Sequence, residues 1–185
     1  MDGEGVEYTF QVFRARTELR YQGLKDSLVT QVDKYIQAVA PGSLVNGIVL
    51  VEECDEYDID LRFVLAQGTV ESHWATKGIA RKTNSVFNVH SFDGRTASEI
   101  RRAGLDYSHP DKSIEPYLQL LQSRYLVGGK TEEDMFVNFT DSLGQRYASN
   151  RNYEKLLLDA YNKIDEIAPM GVYDEYMKYK VILGR

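Results

Sequence analysis

The sequence predicts a mainly α-helical domain with a small irregular or β-hairpin lobe. Apolar residues recur at spacings of three and four along most of the chain, which is the period of a helix with one buried face. This period is lost between Thr83 and Pro110, where the Asp93-Gly94 pair is typical of a tight turn. The 185 residues, of which 43% are hydrophobic, suffice for one sizeable core.

Two elements are predicted in the first third of the chain. A first helix ends at Pro41-Gly42, and its apolar stripe consists of Leu24, Leu28, Val32, Tyr35, Ile36 and Val39. Ser43 is a candidate N-cap for a second helix. The apolar residues of this second segment are Leu44, Ile48 and Val51. Because the consecutive apolar residues 48–51 are equally typical of a strand, both structures remain open there.

A third and a fourth helix follow. The third runs from about Asp58 to Ser72, and its buried face consists of Ile59, Phe63, Ala66 and Val70. The fourth is capped by Asp111 or Ser113 and carries Pro116 in its first turn, where proline is tolerated. Its apolar stripe consists of Ile114, Tyr117, Leu118, Leu121 and Tyr125.

Two more helices are predicted before the C-terminus. Thr131 opens a short one that buries Met135, Phe136 and Phe139. The other is capped by Ser149 or Asn150, and its stripe consists of Tyr153, Leu156, Leu157, Ala160, Tyr161 and Ile164. These patterns divide the chain into an N-terminal helical segment (1–42) packed on the core, a central domain (43–167) and a tyrosine-rich tail (168–185).

Composition excludes several classes of function. Twenty-two Lys and Arg against 28 Asp and Glu give a net charge of −6, whereas sequence-independent nucleic-acid binding needs a basic surface. The single cysteine, Cys54, excludes an intramolecular disulfide and a cysteine-rich zinc site. His73, His90 and His109 lie 17 and 19 residues apart, unlike a helical pair of metal ligands. We therefore expect no nucleic-acid partner, no metal and no cofactor.

Neither membrane insertion nor a secretion signal is predicted. The longest apolar run, residues 48–51, is far shorter than the roughly 18 residues of a membrane span. Residues 1–7 are acidic and polar, whereas a signal peptide begins with positive charge followed by an apolar run. We expect a protein that is synthesised in the cytoplasm.

One acidic side chain has the environment of a general acid. On the third helix, Gln67, Glu71 and Trp74 are predicted to share a face at i, i+4 and i+7. Glu71 lies at the C-terminal end, where the helix dipole disfavours a negative charge, and burial beside an indole disfavours it further. Both effects raise the pKa of Glu71, as a general acid near neutral pH requires.

Four short motifs occur in order between about Ile59 and Ile164. They are Ala66-Gln67-x-x-x-Glu71-Ser72-x-Trp74, Ala80 with Asn84-x-x-Phe87, Tyr107 with Ser113-Ile114, and Tyr147-Ala148-Ser149-Asn150-Arg151-Asn152-Tyr153. Together they resemble the signature of the glucosaminidase-type peptidoglycan hydrolases, glycoside hydrolase family 73. In that family a Glu-Ser-Gly-Trp-Gly-like helix end precedes Asn-Asn-Leu-Phe-Gly-like and Tyr-Ala-Thr-Asp-Pro-x-Tyr-like segments.

The resemblance implies a lysozyme-like, two-lobed helical fold that cleaves a β-1,4 bond of the bacterial cell-wall glycan. It implies that Glu71 is the general acid and that Tyr147 is the family's tyrosine near the reaction centre. The substrate-binding residues that it implies are Gln67, Trp74, Asn84 and Phe87. The expected partners are peptidoglycan glycan strands and, for a phage-encoded protein, virion or tail components.

The chain departs from the family at three glycine positions, where it carries His73, Ala75 and Asn88. The second carboxylate of longer relatives also has no unique counterpart. Its candidates are Asp93, Glu99 and Asp106. We select Asp93, because a turn at Asp93-Gly94 can present its side chain to the cleft. The alternative is that the acetamido group of the substrate acts as the nucleophile.

Two functions are therefore compatible with the sequence. The first is a peptidoglycan hydrolase that reaches the cell wall by phage- or carrier-mediated delivery. The second is a non-catalytic wall-binding or virion structural module, which the three departures favour. Retention of Glu71 favours the hydrolase, because a binding cleft has no need of a carboxyl group at the unfavourable end of a helix.

Overall fold

The computed structural model describes residues 3–89 and 95–185, and within these ranges the chain is mainly α-helical. The helices are α1 Gly3–Val39, α2 Gly47–Glu56, α3 Leu61–Ser72, α4 Ala80–Thr83, α5 Ala97–Arg102, α6 Ile114–Leu120, α7 Glu132–Met135, α8 Tyr153–Asn162, α9 Ile164–Ile167 and α10 Gly171–Leu183. The described residues contain no strand beyond a single antiparallel bridge between Thr140 and Arg146. The predicted helical class is confirmed, and the turn expected at Asp93-Gly94 lies outside the described residues.

Helices α1 and α10 pack against each other along one side of the core. Tyr21 stacks on Tyr176 with ring centroids 4.9 Å apart, and their hydroxyl groups share a hydrogen bond of 2.8 Å. The tyrosine-rich tail is thus a helix held by aromatic burial, although its sequence pattern alone did not predict one. Segments 1–42, 43–167 and 168–185 all contribute to one buried cluster. Their division into separate units stays a prediction.

Residues 43–56 contain a helix, but it begins later than predicted. Helix α2 starts at Gly47, whose N–H donates to Asp33 Oδ1 on α1 at 2.7 Å. Ser43 is not its N-cap, because the Ser43 hydroxyl donates to the carbonyl of Trp74 at 2.9 Å. The buried side is formed by Leu50, Val51 and Cys54, whereas Leu44 and Ile48 are largely exposed.

Helix α3 is the centre of the molecule and carries the candidate site at its C-terminal end. Its N-terminus is capped by Asp60, whose Oδ1 accepts hydrogen bonds from the backbone N–H groups of Arg62 and Phe63. The helix is buried on almost all sides between α2, α8 and α9. This packing fixes the direction of α3 and hence the position of its last turn.

Of the remaining predicted helix starts, two differ from the structure by a few residues and one agrees. The fourth predicted helix begins as a 3₁₀ turn, Pro110–Ser113, whose cap is His109. It continues as α6 and ends in the π-helical turn Leu121–Tyr125. Helix α7 has the predicted start at Thr131, which forms a capping box with Asp134. Helix α8 follows Asn152 and not Ser149 or Asn150.

The structure adds helix α5, which the sequence pattern did not predict. This helix has six residues, and Ile100 alone is buried among them, so it lacks an apolar stripe. A capping box between Thr96 and Glu99 defines its start.

Helix length, potential metal ligands and the single cysteine concern the classes of function that the composition argues against. None of the helices in the described part of the chain combines the length and the apolar character needed to cross a bilayer. No group of three potential metal ligands occurs among residues 3–89 and 95–185. Cys54 is buried, and burial raises the pKa of its thiol well above the usual range, which fits a core residue.

Candidate active site

Glu71 lies in the last turn of α3, where two neighbouring elements contact its carboxyl group. Tyr153 at the start of α8 donates its hydroxyl hydrogen to Glu71 Oε1 at 2.5 Å. Asn88, in the turn after α4, donates from Nδ2 to Glu71 Oε2 at 3.3 Å. Each carboxylate oxygen thus has its own donor, so the orientation of the carboxyl group is fixed.

The pKa of Glu71 is set by burial and by hydrogen bonds, which act in opposite directions. Burial is the largest and raises the pKa, because the ionised form loses hydration. The hydrogen bonds from Tyr153 and Asn88 act in the opposite direction, because they stabilise the carboxylate. The net result is a pKa above the ordinary value, which is the direction that the sequence predicts. Such a group keeps its proton to higher pH than a solvated glutamate.

A chain of buried hydrogen bonds connects the carboxyl group of Glu71 to α6 through Tyr153 and Gln67. Gln67, one turn before Glu71 on α3, donates from Nε2 to the Tyr153 hydroxyl at 3.0 Å. Its Oε1 accepts a short hydrogen bond from the hydroxyl of Tyr117 on α6. Burial, reinforced by the nearby charge of Glu71, holds the pKa values of both tyrosines well above their usual range. These hydroxyl groups therefore act as neutral donors and acceptors.

The backbone reverses direction immediately after Glu71. The N–H of His73 donates to the carbonyl of Thr69, which is the αL type of helix C-cap, and the N–H of Trp74 donates to the carbonyl of Gly68. His73, Trp74 and Ala75 have φ values of 47°, 56° and 61°, so three successive side-chain-bearing residues adopt the left-handed conformation. This reversal is the reason why Trp74 leaves the helical face predicted for it.

The Trp74 indole folds back beneath the last turns of α3. Its ring lies so close to Gly68 that a Cβ there would come within 2.7 Å of it. The indole Nε1 donates to Thr69 Oγ1 at 3.2 Å. The predicted common face is thus correct for Gln67 and Glu71, which both bind Tyr153, whereas Trp74 packs on a different face.

The turn formed by residues 85–88 is attached to the end of α3 by side-chain hydrogen bonds. Ser72 Oγ donates to the Val86 carbonyl at 2.7 Å, and Ser113 Oγ accepts from the Val86 N–H at 3.0 Å. The hydroxyl of Tyr147 donates to the Phe87 carbonyl at 2.9 Å. The turn therefore holds Asn88 against Glu71.

The three departures from family glycines share one backbone property. His73 and Ala75 are left-handed, and Asn88 has a φ of 50°. Glycine adopts this conformation without steric cost, whereas in other residues the Cβ comes unfavourably close to the backbone. The substitutions thus keep the backbone course that the glycine pattern requires, and the side chain of Asn88 contacts Glu71.

Three of the four predicted substrate-binding residues lie in the interior of the protein. The exposed fractions of Gln67, Trp74 and Phe87 are 0%, 0% and 1%, so their side chains have no surface for a sugar in this structure. Phe87 stacks on Tyr117 with ring centroids 3.7 Å apart. Asn84 is partly buried and donates to the Tyr107 carbonyl at 2.8 Å. These contacts support the turn beside Glu71, and the predicted role of the four residues in substrate binding stays a prediction.

Residues 49–166, more than half of the chain, match the sequence model of the family Glucosaminidase, described as mannosyl-glycoprotein endo-beta-N-acetylglucosaminidase. The chain belongs to this family. The predicted membership of the glucosaminidase-type peptidoglycan hydrolases is thereby confirmed, and the protein is a glycoside hydrolase. No curated protein matches the chain significantly.

Tyr147 and Asp93 complete the predicted catalytic set of this glucosaminidase. Tyr147 is partly buried, and its ring centroid lies 5.7 Å from that of Tyr153. Its hydroxyl contacts the Phe87 carbonyl, so the structure brings it to the edge of the Glu71 site and leaves its catalytic role a prediction. Asp93 lies outside the described residues.

The other two candidates for a second carboxylate are engaged in local contacts. Glu99 accepts hydrogen bonds from the backbone N–H and the hydroxyl of Thr96 in the capping box of α5. Asp106 pairs with Arg101 at 3.3 Å. No carboxylate among residues 3–89 and 95–185 is one of the groups that shift the pKa of Glu71.

Sequence reasoning did not identify Tyr153 and Asn88 as parts of the glucosaminidase site. Tyr153 was assigned to the apolar stripe of the last helix, although a buried tyrosine hydroxyl needs a polar partner. Gln67 and Glu71 are polar side chains of the buried helix α3 and are the partners that Tyr153 contacts. The need of a buried tyrosine for such a partner is the signal that could have indicated this contact. Asn88 appeared only as a departure from glycine.

Proposed function

We propose that this glucosaminidase cleaves the β-1,4 bond on the reducing side of N-acetylglucosamine in peptidoglycan, with Glu71 as the general acid. The observation that carries the proposal is a partly buried carboxyl group with a raised pKa and two fixed donors at the end of the central helix. A raised pKa keeps Glu71 protonated at the pH where it must deliver a proton.

In the proposed reaction, Glu71 transfers its proton to the glycosidic oxygen while the bond from that oxygen to the anomeric carbon breaks. The sugar passes through an oxocarbenium-like state, and water finally adds to the anomeric carbon and releases one proton, so that the acid form of Glu71 is restored at the end of the cycle. Glu71 becomes negatively charged in the first step. The hydrogen bonds from Tyr153 and Asn88 then become charge-assisted and stabilise the carboxylate as it forms.

The group that stabilises the sugar cation has two candidates. A carboxylate such as Asp93 can activate water or attack the anomeric carbon, or the acetamido group of the substrate can act as the nucleophile. Glu99 and Asp106 are engaged in a helix cap and an ion pair, which favours Asp93 among the carboxylates. Tyr147 is suited to orient the acetamido group or the water from the edge of the site.

The proposal is tested with Glu71→Gln and a matched control, Glu53→Gln. Glu53 is a partly buried glutamate on α2 whose pKa is also raised by burial, so it controls for the loss of such a carboxyl group. Release of reducing ends from purified sacculi should fall about 10²–10⁴-fold for Glu71→Gln. It should stay near the wild-type rate for Glu53→Gln. Activity of Glu71→Gln within a few-fold of wild type would remove Glu71 from the mechanism.

The bond that is cut is tested by mass spectrometry of the released muropeptides. Cleavage as proposed leaves N-acetylglucosamine at the new reducing end. N-acetylmuramic acid at that end would show that the enzyme is a muramidase and would overturn the proposed specificity.

A further inference from the structure

Asn88 adopts a backbone conformation that few residues tolerate. Its φ is 50°, in the left-handed region, and its N–H donates to the Ser85 carbonyl at 3.2 Å to close the turn. Asparagine is among the non-glycine residues that occupy this region most readily. The conformation directs the Asn88 side chain toward the end of α3.

The Asn88 amide group contacts Glu71 at two points. Nδ2 donates to the Glu71 backbone carbonyl at 2.9 Å and to its carboxylate Oε2 at 3.3 Å. The contact with the carbonyl anchors the amide on the helix terminus, where carbonyl groups lack partners within the helix. A rotated amide would set its oxygen against two oxygen atoms of Glu71, so the donor must face the carboxyl group.

The opposite side of the same carboxyl group is held independently. Tyr153 binds Oε1 and comes from α8, whereas Asn88 binds Oε2 and comes from the turn 85–88. The turn is itself attached to the rest of the core through Ser72 and Ser113. Asn88 therefore connects the turn to Glu71 by a contact that a glycine at the same position cannot make.

We propose that Asn88 is a positioning residue, which holds the Glu71 carboxyl group between the turn 85–88 and Tyr153 in the orientation needed for proton transfer. The inference rests on the proposed role of Glu71 as the general acid. It assigns to Asn88 a role in the reaction that passes entirely through Glu71, since its amide contacts that residue.

The effect of Asn88 on Glu71 can be measured through the pH dependence of the rate, because the titratable groups around Glu71 stay neutral. The titratable groups of the described residues that face Glu71 are the hydroxyls of Tyr117 on α6, Tyr147 before α8 and Tyr153 on α8. Burial holds their pKa values well above the usual range, so they stay neutral while Glu71 titrates. The Asn88 donor stabilises the ionised form of Glu71 and therefore lowers its pKa relative to burial alone.

The test uses Asn88→Gly, which keeps the left-handed backbone free of strain and removes the amide. Two effects are expected together. The maximal kcat on sacculi should fall about tenfold because Glu71 loses its orientation, and the alkaline limb of the pH–rate profile should move to higher pH. Asn88→Asp keeps the size of the side chain and places a second carboxylate beside Glu71, so it should move the limb further in the same direction.

Asp58→Gly serves as the matched control. Asp58 is also a left-handed residue, with a φ of 51°, and lies before the N-terminus of α3, so the variant tests the backbone change at the far end of the helix. Its alkaline limb should coincide with that of the wild type. Limbs of Asn88→Gly and Asn88→Asp that also coincide with the wild type, whatever the loss of rate, would show a merely structural role and overturn the inference.

Titration of the Glu71 side-chain carboxyl by carbon-13 NMR separates this inference from the proposed function. A higher Glu71 pKa in Asn88→Gly supports the contact, and an unchanged or lower pKa overturns it, independently of activity. If Glu71→Gln is inactive while Asn88→Gly retains the wild-type kcat and limb, the positioning role fails and the general acid stands. If Glu71→Gln is active, the general acid fails and the positioning role fails with it.

Discussion

Removal of a single oxygen atom from Tyr153 tests the hydrogen-bond chain beneath the proposed general acid. In Tyr153→Phe the ring still packs in the core, but two contacts disappear. Gln67 Nε2 loses its acceptor at 3.0 Å, and Glu71 Oε1 loses its donor at 2.5 Å. The variant therefore affects stability through Gln67 and the pH dependence of the rate through Glu71.

The magnitude follows from the burial of Gln67, whose exposed fraction is 0%. A buried amide hydrogen left without a partner costs about 1–3 kcal/mol of the free energy of unfolding. For a chain of this size about 1 kcal/mol lowers Tm by roughly 2–4 °C, so Tm should fall by roughly 2–12 °C. The carboxylate of Glu71 loses a stabilising donor, so its pKa rises and the alkaline limb of the rate moves to higher pH.

Thermal unfolding and the pH–rate profile on sacculi measure the two effects of Tyr153→Phe. Tyr173→Phe is the matched control, because the buried Tyr173 hydroxyl accepts from the Leu61 N–H at the opposite end of α3. It should lower Tm by a similar amount and leave the limb unchanged. The reasoning would be refuted if Tyr153→Phe kept both the wild-type Tm and the wild-type limb.

Three further changes have defined outcomes. Gly68→Ala sets a methyl group 2.7 Å from the Trp74 ring and should lower the free energy of unfolding by about 1–3 kcal/mol, whereas Gly23→Ala, with open space around it, should not. Glu71 binds its proton more tightly in the folded protein than in the unfolded chain. The free energy of unfolding, measured with denaturant, should therefore fall as the pH rises from about 4.3 through the raised pKa of Glu71, and Glu71→Gln should remove most of this pH dependence. Asp93→Asn should remove the acidic limb and most of the rate; a variant that keeps its rate would assign the nucleophile to the substrate's acetamido group.

The sequence predicted the first helix well, because a long helix with one buried face shows a clear period of 3.6 residues. The end of the third helix at Ser72 also agrees with the structure. Helix starts were less predictable. Ser43 has the chemistry of an N-cap, but its hydroxyl binds the carbonyl of Trp74, a contact that depends on the tertiary fold.

In the candidate site, too, features set by one helix could be predicted, whereas contacts that depend on the tertiary fold could not. The position of Glu71 and the direction of its pKa could be predicted, because both depend on one helix and its burial. The contacts of Glu71 with Tyr153 and Asn88 could not, because these residues are 82 and 17 positions away along the chain. The placement of Trp74 was also wrong, since three left-handed residues in succession break the helical face on which it was placed.

The Trp74 indole also gives the enzyme a built-in optical probe. It is the single tryptophan among 185 residues, and 13 tyrosines lie along the same chain. Its ring is fully buried beneath the helix that carries Glu71, next to Phe87 at 6.2 Å. Tryptophan emission therefore reports the integrity of this one region, and it shifts to longer wavelength when water reaches the ring. Fluorescence can thus follow the opening of the C-terminal end of α3 separately from the melting of the outer helices, without any label.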